Sequence, residues 1–287
     1  MNLTEADRFA QELWNLDVIP WNRYWVPIFR KFARDLVLNA DLKPAQLILD
    51  VGTGTGIAAF EAAKRIKRGF IIGIDRSQQM INLAWKNSVK MKLENVFFIE
   101  MNAEQTVFPD GLFDRVLSNC GISYATLPQT SREVLRVLHK GGQLILNDWH
   151  LIDVPAHREF SGILRKHRTR HPSRKLWRWR EAASTLESFG NQYLDLKKEV
   201  LLLEEAGFEK VRIRTKKYKV LLPGIQTYLN MRLDRIALKQ ELVELSPNRR
   251  TEFITDLRRS LRRYVRNGRF TINWKLNFIQ AKKPMRR

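Results

Sequence analysis

Leu47-Ile48-Leu49-Asp50-Val51-Gly52-Thr53-Gly54-Thr55-Gly56 is the stretch on which the fold turns. Leu47 to Val51 is an apolar run broken only by Asp50, the composition of a buried strand. Three alternate glycines follow, and then a helical pattern from Ile57 to Ile66 with Ile57, Phe60 and Ala63 on one side. Glycines between a strand and a helix permit a tight bend and let a ligand lie close to the backbone. A dinucleotide site would need glycine where Ile57 stands, and a P-loop would need a Gly-Lys-Ser/Thr that does not follow. A second apolar run, Phe70 to Ile74, closes on Asp75, nineteen residues past Gly56. A carboxylate at that strand end can accept both hydroxyls of a ribose.

The pattern continues outward. Val96 to Ile99 reads as a third strand, Phe113 to Leu117 as a fourth and Gln143 to Leu146 as a fifth. Ser77 caps a helix through about Val89, while Val134, Leu135 and Leu138 mark another that turns at Gly141-Gly142. Strand and helix alternate five times, which implies an α/β fold with a parallel sheet. Before this core, residues 1–44 read as helical and aromatic, with Pro20 and Pro27 dividing them into two or three helices. After it, residues 151–192 read as a basic helical insert rich in Arg and Trp. Residues 193–287 return to regular structure: a helix near Leu194 to Glu205 and a strand near Phe208 to Arg214. Ser246 and Pro247 open a further helix on which Phe253, Leu257, Leu261 and Val265 recur every four residues. The final strand places Ile272, Trp274, Leu276 and Phe278 on one face.

Composition narrows the function classes. With 287 residues, 44% of them apolar, and one cysteine, Cys120, the chain is neither disordered nor a disulfide scaffold. A single thiol cannot build a thiolate zinc site and points to a reducing compartment, read as cytoplasm. No apolar run reaches the roughly 20 residues that span a bilayer. Charge is divided unevenly, with 18 basic and 16 acidic residues in 1–150 but 33 and 14 in 151–287. That asymmetry suggests an anionic partner: a nucleic acid, an anionic metabolite or an acidic lipid surface.

Further pieces follow the glycine loop in order: Asp75, Asn102-Ala103-Glu104, Phe108-Pro109-Asp110-Gly111-Leu112-Phe113-Asp114, and Leu135-Arg136-Val137-Leu138-His139-Lys140-Gly141-Gly142. Together they resemble the class I S-adenosylmethionine-dependent methyltransferases, in the branch that includes ubiquinone/menaquinone C-methyltransferases. The resemblance covers residues 45–148 in detail and, more loosely, Glu204 to Phe208 and the final strand. It implies a Rossmann-like, doubly wound sheet of seven strands with the last antiparallel, a helical lid over 1–44 and the insert after strand five. It implies S-adenosylmethionine as cofactor, with Gly52, Thr53, Gly54 and Gly56 beneath its methionine part and Asp50 orienting its amino group. Asp75 would hold the ribose, Arg76 would border the adenine, and Asn102 and Ala103 would meet the adenine edge. Asn102 stands where the family usually has Asp. Ser118 and Asn119 would face the sulfonium and the acceptor.

The acceptor itself stays open. A hydroxyl or carbon acid needs a base, for which His150, just after the fifth strand, and Tyr124 are the candidates. His167 and His171 are four apart with no acid or thiol partner evident in the sequence, so no metal is expected. Tyr24 and Trp25 stand where a lid would begin contact, or simply pack it down. Residues 158–180 hold nine Arg or Lys, with Trp177 and Trp179 interleaved with Arg178 and Arg180. Basic and aromatic groups together can grip an RNA backbone and stack its bases. Arg258, Arg259, Arg262, Arg263 and Arg266 would share a helical face. The readings are thus a small-molecule methyltransferase with an acceptor of anionic or lipid-like character, an RNA methyltransferase, and a non-catalytic anion-binding protein on the same fold. Asn-Pro-Pro-Tyr and Asp-Pro-Pro-Tyr are absent after the fourth strand, against methylation of an adenine amino group, and one thiol excludes cytosine C5 and arsenite chemistry.

Overall fold

The computed structural model describes residues 1–122, 126–149, 154–192 and 196–285. Its elements are α1 (Leu3–Pro20), a π-helical turn (Trp21–Trp25), α2 (Val26–Asn39), β1 (Leu47–Val51), α3 (Ile57–Ala63), β2 (Phe70–Asp75), α4 (Gln78–Lys90) and β3 (Val96–Glu100). There follow β4 (Phe113–Asn119), α5 (Leu127–Val137), β5 (Leu138–Trp149), α6 (Pro155–His167), α7 (Arg174–Gln192), α8 (Leu196–Ala206) and β6 (Glu209–Leu222). The chain ends with α9 (Gly224–Leu233), α10 (Ile236–Val243), α11 (Pro247–Leu261), β7 (Val265–Arg266) and β8 (Arg269–Lys282). Two compact units are formed: Val26–Asp148 with Leu186–Thr215 and Asn277–Arg287, and Met1–Trp25 with Trp149–Thr185 and Lys216–Leu276.

The sheet runs β3-β2-β1-β4-β5-β8-β6, with the two-residue β7 paired antiparallel to β8. β1 pairs in parallel with both β2 and β4, and β4 in parallel with β5. The sheet is thus the Rossmann-like arrangement of parallel strands with a final antiparallel one. Strand order reverses between β1 and β4, so the carboxyl ends of β1, β2 and β4 border the crevice where open α/β sheets take their ligands. Beneath that crevice Leu49, Val51, Ile74, Val116 and Leu144 are fully shielded, together with Leu203, Phe208 and Ile279. A sheet covered on both faces explains why β1 reads as a nearly unbroken apolar run.

Several boundaries differ from the sequence expectation. Pro20 closes α1 and Pro27 lies in the first turn of α2, where no helical amide is lost, so two helices flank a π turn. α5 stops at Val137, because Leu138 is already extended (φ −70°, ψ 139°). Gly141 and Gly142 therefore lie inside β5, at the irregularity where β4 register jumps from Leu138 to Gln143. β6 continues to Leu222, its period masked by Lys216 and Lys217 on an exposed stretch. Ser246 caps α11 as expected, accepting from Arg249 N, and Phe253, Leu257 and Leu261 are fully buried. Val265 has left the helix, since a 3-10 turn at Arg262–Tyr264 redirects the chain. For that reason Arg258, Arg259, Arg262, Arg263 and Arg266 do not share one helical face. Among the described residues no helix is long and apolar enough to cross a membrane.

Candidate functional site

Asp50 sits near the end of β1 with no solvent exposure. Its Oδ2 accepts from Thr53 Oγ1 (2.7 Å) and from Ala59 N (3.0 Å), so one carboxylate ties the loop to the first turn of α3. Its Oδ1 is buried with no hydrogen-bond partner among the described residues. Burial pushes the carboxyl up to about 7 against the opposing pull of those two hydrogen bonds. Thr53 N donates to Ile74 O (2.9 Å), which fastens the loop to β2 as well.

The glycines are needed where they stand. Gly52 has φ +65°, and a Cβ there would lie 2.5 Å from Gly121 Cα, so two backbones touch at this point. Gly54 has φ +55°, but a Cβ on it would meet nothing within 4 Å. One glycine is required by the protein's own packing. The other borders open space. Gly54 N donates to Asp75 Oδ2 (2.9 Å), while Asp75 Oδ1 accepts from Ser77 N (2.9 Å). Asp75 thus joins the glycine loop to the start of α4, and burial raises its carboxyl above the ordinary range. Arg76 beside it is partly exposed. Asn102 is exposed and its Oδ1 accepts from Glu104 N (3.1 Å), while Ala103 packs on the core cluster.

The ends of β4 and β5 bring a polar group together. Ser118 is fully buried and its hydroxyl donates to Val51 O (2.9 Å), bracing β4 against β1. Asn119 Oδ1 accepts from Asn147 Nδ2 (2.9 Å), and Asn119 Nδ2 is buried without a partner among the described residues. Cys120, at φ +56°, donates from Sγ to Asn147 Oδ1 (3.2 Å). Burial, with the nearby Asp148 charge, pushes its thiol well above the usual range. Cys120, Asn147 and Thr55, whose buried Oγ1 also lacks a partner among the described residues, are not among the residues to which the sequence motifs assign a role. The signal for Asn147 was the Asn-Asp pair closing the fifth strand, which register sets opposite Asn119.

The span from the first strand to the end of α8 has a recognisable pattern. A family model described as a methyltransferase domain matches residues 42–207, which contain the glycine loop, Asp75 and the ends of β4 and β5. The chain belongs to this methyltransferase family, of the class I S-adenosylmethionine-dependent kind. It is similar to a demethylmenaquinone methyltransferase of Symbiobacterium thermophilum, 31% identical over 41% of this chain and 48% of that one. A ubiquinone/menaquinone biosynthesis C-methyltransferase of Rhizobium rhizogenes is 32% identical over 41% of this chain and 47% of its own. The chain spans about half the length of the curated relatives it matches. In fold it is similar to the crystal structure of YcgJ from Bacillus subtilis, with a TM-score of 0.55 at 19% identity over 88% of this chain and 99% of that one.

The methyltransferase core fits the cofactor that its class takes. The buried Oδ1 of Asp50 is an acceptor in want of a donor, the face of Gly54 is open, and Asp75 lies a hydrogen bond away from it. Tyr124 and His150, the bases expected from sequence, lie outside the described residues. Other candidates are accounted for differently. His167 Nε2 is 2.8 Å from Asp256 Oδ2, an acid partner that sequence did not reveal. Among the described residues no group of three His, Cys, Asp or Glu could hold a metal ion. Trp25 is buried, stacked on Trp21 (5.6 Å) and Trp274 (6.2 Å), so it packs its own unit. Trp179 is buried too, and Arg180 is paired with Glu241 (2.5 Å) while Arg178 covers the Phe9 ring (4.8 Å). The Arg and Trp alternation expected to grip a nucleic acid is therefore spent largely on internal packing, with Trp177 left exposed.

Proposed function

We propose that the chain transfers a methyl group from S-adenosylmethionine to a small-molecule acceptor beyond the ends of β4 and β5. The observation that carries this reading is the pairing of a buried, unpartnered Asp50 Oδ1 with a glycine loop whose Gly54 face is open. S-adenosylmethionine, when bound, supplies a methyl group on a cationic sulfur, open to in-line displacement. The chain's own work is then alignment and exclusion of water. Asp50 offers a carboxylate oxygen to the amino group of the cofactor, and Asp75, fixed by two backbone amides, accepts from the ribose hydroxyls. Arg76, Asn102 and Ala103 border the adenine, and Gly52, Thr53 and Gly56 hold the loop in its left-handed path. Ser118 and Asn119 stand nearest the reacting groups, Asn119 with an amide hydrogen to spare.

His150 or Tyr124 would take the acceptor's proton where the acceptor is a hydroxyl or carbon acid. The similarity to a demethylmenaquinone methyltransferase and a ubiquinone/menaquinone biosynthesis C-methyltransferase supports a small acceptor. The 33 basic residues of 151–287 against 14 acidic ones support an acceptor of anionic or lipid-like character. Residues 45–150 would be the cofactor-binding segment, with 1–44 as lid, 151–192 as insert and 193–287 completing the domain. A single cysteine supports a reducing compartment, the cytoplasm.

Calorimetric titration with S-adenosylmethionine and S-adenosylhomocysteine tests this. Micromolar binding by the wild type, lost in Asp75→Ala with its circular dichroism unchanged, is the expected result. Equal affinity in the variant, or none in the wild type, overturns it.

A further inference from the structure

The unit built from Met1–Trp25, Trp149–Thr185 and Lys216–Leu276 contains a second cluster of chemistry-bearing groups that methyl transfer does not use. His157 and Phe160 are one turn apart on α6, and Tyr228 and Arg232 one turn apart on α9, so each helix offers a pair of side chains on one face. The two pairs meet. His157 Nδ1 lies 2.8 Å from the Tyr228 hydroxyl, and the two rings stack at 5.6 Å. Tyr228 also stacks on Phe270 at 4.3 Å, and the Arg232 guanidinium sits 4.9 Å above the Phe160 ring. The Trp25 and Trp274 rings lie 6.3 and 6.1 Å from His157 and close the aromatic wall.

Inside this wall two nitrogens are unsatisfied. His157 Nε2 and Arg232 Nε are both shut from solvent with no hydrogen-bond partner among the described residues. His157 itself is only 5% exposed. Burial and the Arg232 charge push its imidazole well below the usual value, so the ring is neutral and carries one proton. With the Tyr228 hydroxyl donating to Nδ1, that proton is on Nε2, which becomes a donor. Arg232 keeps its charge despite burial, because a guanidinium cannot shed its proton near neutral pH. Among the described residues no carboxylate forms an ion pair with it. The charged group nearest in kind is Arg235, which is itself neutralised by Asp17 at 2.5 Å.

Arg232 Nε is shut from solvent and lacks an acceptor among the described residues, so a charged donor is left unsatisfied there. The Phe160 ring beneath the guanidinium offsets only part of that cost. We propose that His157 and Arg232 form an anion subsite that takes the carboxylate or phosphate group of a small ligand. The two N–H groups supply charge-assisted hydrogen bonds and Phe160, Trp25 and Trp274 supply the apolar surround. Arg232 as a whole is partly exposed, which leaves an ion a way in. The subsite does not depend on the methyltransferase reading and stands or falls apart from it.

Histidine-labelled protein reports on it directly, because the chain has five histidines and His157→Gln identifies the one resonance that matters. The probes are inorganic phosphate and acetate, added at constant ionic strength against chloride so that screening does not change. The His157 Nε2 resonance is expected to shift and saturate with at least one of them. Acetate alone would mark a carboxylate site and phosphate alone a phosphate site. In Arg232→Met the apparent affinity should fall about tenfold or more, and in Arg258→Met, an exposed arginine outside the cluster, it should not change. Should Arg232→Met not fold, Arg232→Lys replaces it, since lysine keeps the charge but cannot place a donor at Nε. A His157 resonance unmoved by either anion in the wild type, or titrated with wild-type affinity in the folded Arg232 variant, overturns the proposal.

Discussion

Alanine at Gly52 and at Gly54 should separate what the loop does for the fold from what it does for a ligand. Both residues are left-handed, at φ +65° and +55°, so either alanine costs about 1–2 kcal/mol in backbone strain. Gly52→Ala adds a clash, because its Cβ would lie 2.5 Å from Gly121 Cα and 2.7 Å from Gly121 O, and neither can swing aside as a side chain would. Overpacking of that kind costs about 1–3 kcal/mol more. At about 2–4 °C per kcal/mol for a chain approaching this size, Gly54→Ala should lower Tm by a few degrees and Gly52→Ala by roughly twice as much. Affinity for S-adenosylmethionine should order differently. The Gly54 Cβ meets no protein atom within 4 Å, so it stands in the space over which the cofactor would pass. A methyl group there should weaken binding about tenfold to a hundredfold, or about 1.4–2.8 kcal/mol. Differential scanning calorimetry and isothermal titration on the same preparations measure both quantities. Wild-type affinity in Gly54→Ala would refute the placement of the ligand over this loop. Wild-type stability in Gly52→Ala would refute the backbone contact with Gly121.

Two further outcomes follow from shifted carboxyls. Asp50 titrates near 7 in the fold and near 4 when unfolded, so its contribution to stability is present below about pH 4 and is lost as pH rises through about 7. Asp50→Asn should flatten the fall in Tm between about pH 4 and 7 in ligand-free protein, and a variant that keeps the full wild-type slope would count against the assignment. Glu133 is held down to about 2 first by Arg136 and then by Thr106, so its stabilisation is present above about pH 4.5 and is lost as pH falls through about 2. Glu133→Gln should cost about 1 kcal/mol at neutral pH in a urea titration, and an unchanged midpoint would show that this network is solvated.

How much of this was legible in the sequence depends on how local the information was. β1, β2 and the helix caps were readable because a buried strand, a glycine turn and Ser77 or Ser246 are each written in a few adjacent residues. β6 was cut short because Lys216 and Lys217 interrupt its alternation where the strand is exposed on both faces, and exposure erases the pattern on which strand reading relies. The helix through Val265 was overextended for the opposite reason. Phe253, Leu257, Leu261 and Val265 keep a perfect spacing of four, but the 3-10 turn at Arg262–Tyr264 carries Val265 into β7, so periodicity continued past the element that produced it.

The site divides along the same line. Asp50, the glycines and Asp75 could be found from sequence because the loop that joins them is built by short-range contacts: Asp50 to Thr53, Thr53 to Ile74, Gly54 to Asp75. What could not be found is what register and tertiary packing create. Cys120 and Asn147 are 27 residues apart and meet only because β4 pairs with β5 so that Asn119 lies opposite Asn147. His157 and Tyr228 are 71 apart, on helices whose facing surfaces carry no motif. Arg232 shows the consequence most plainly. In sequence it is one basic residue among the 33 of the second half, and charge alone assigns it to a solvated face. Burial beside Phe160 with no carboxylate among the charges acting on it gives that same residue a different chemistry. Net charge therefore points to one half of the chain for an anion while giving no means to choose the residue. The arginines named from sequence for that role are in part neutralised within their own unit, Arg180 by Glu241 and Arg263 by Glu159. A positive charge can hold a ligand only if the fold has not already used it, and that is decided by contacts between distant segments.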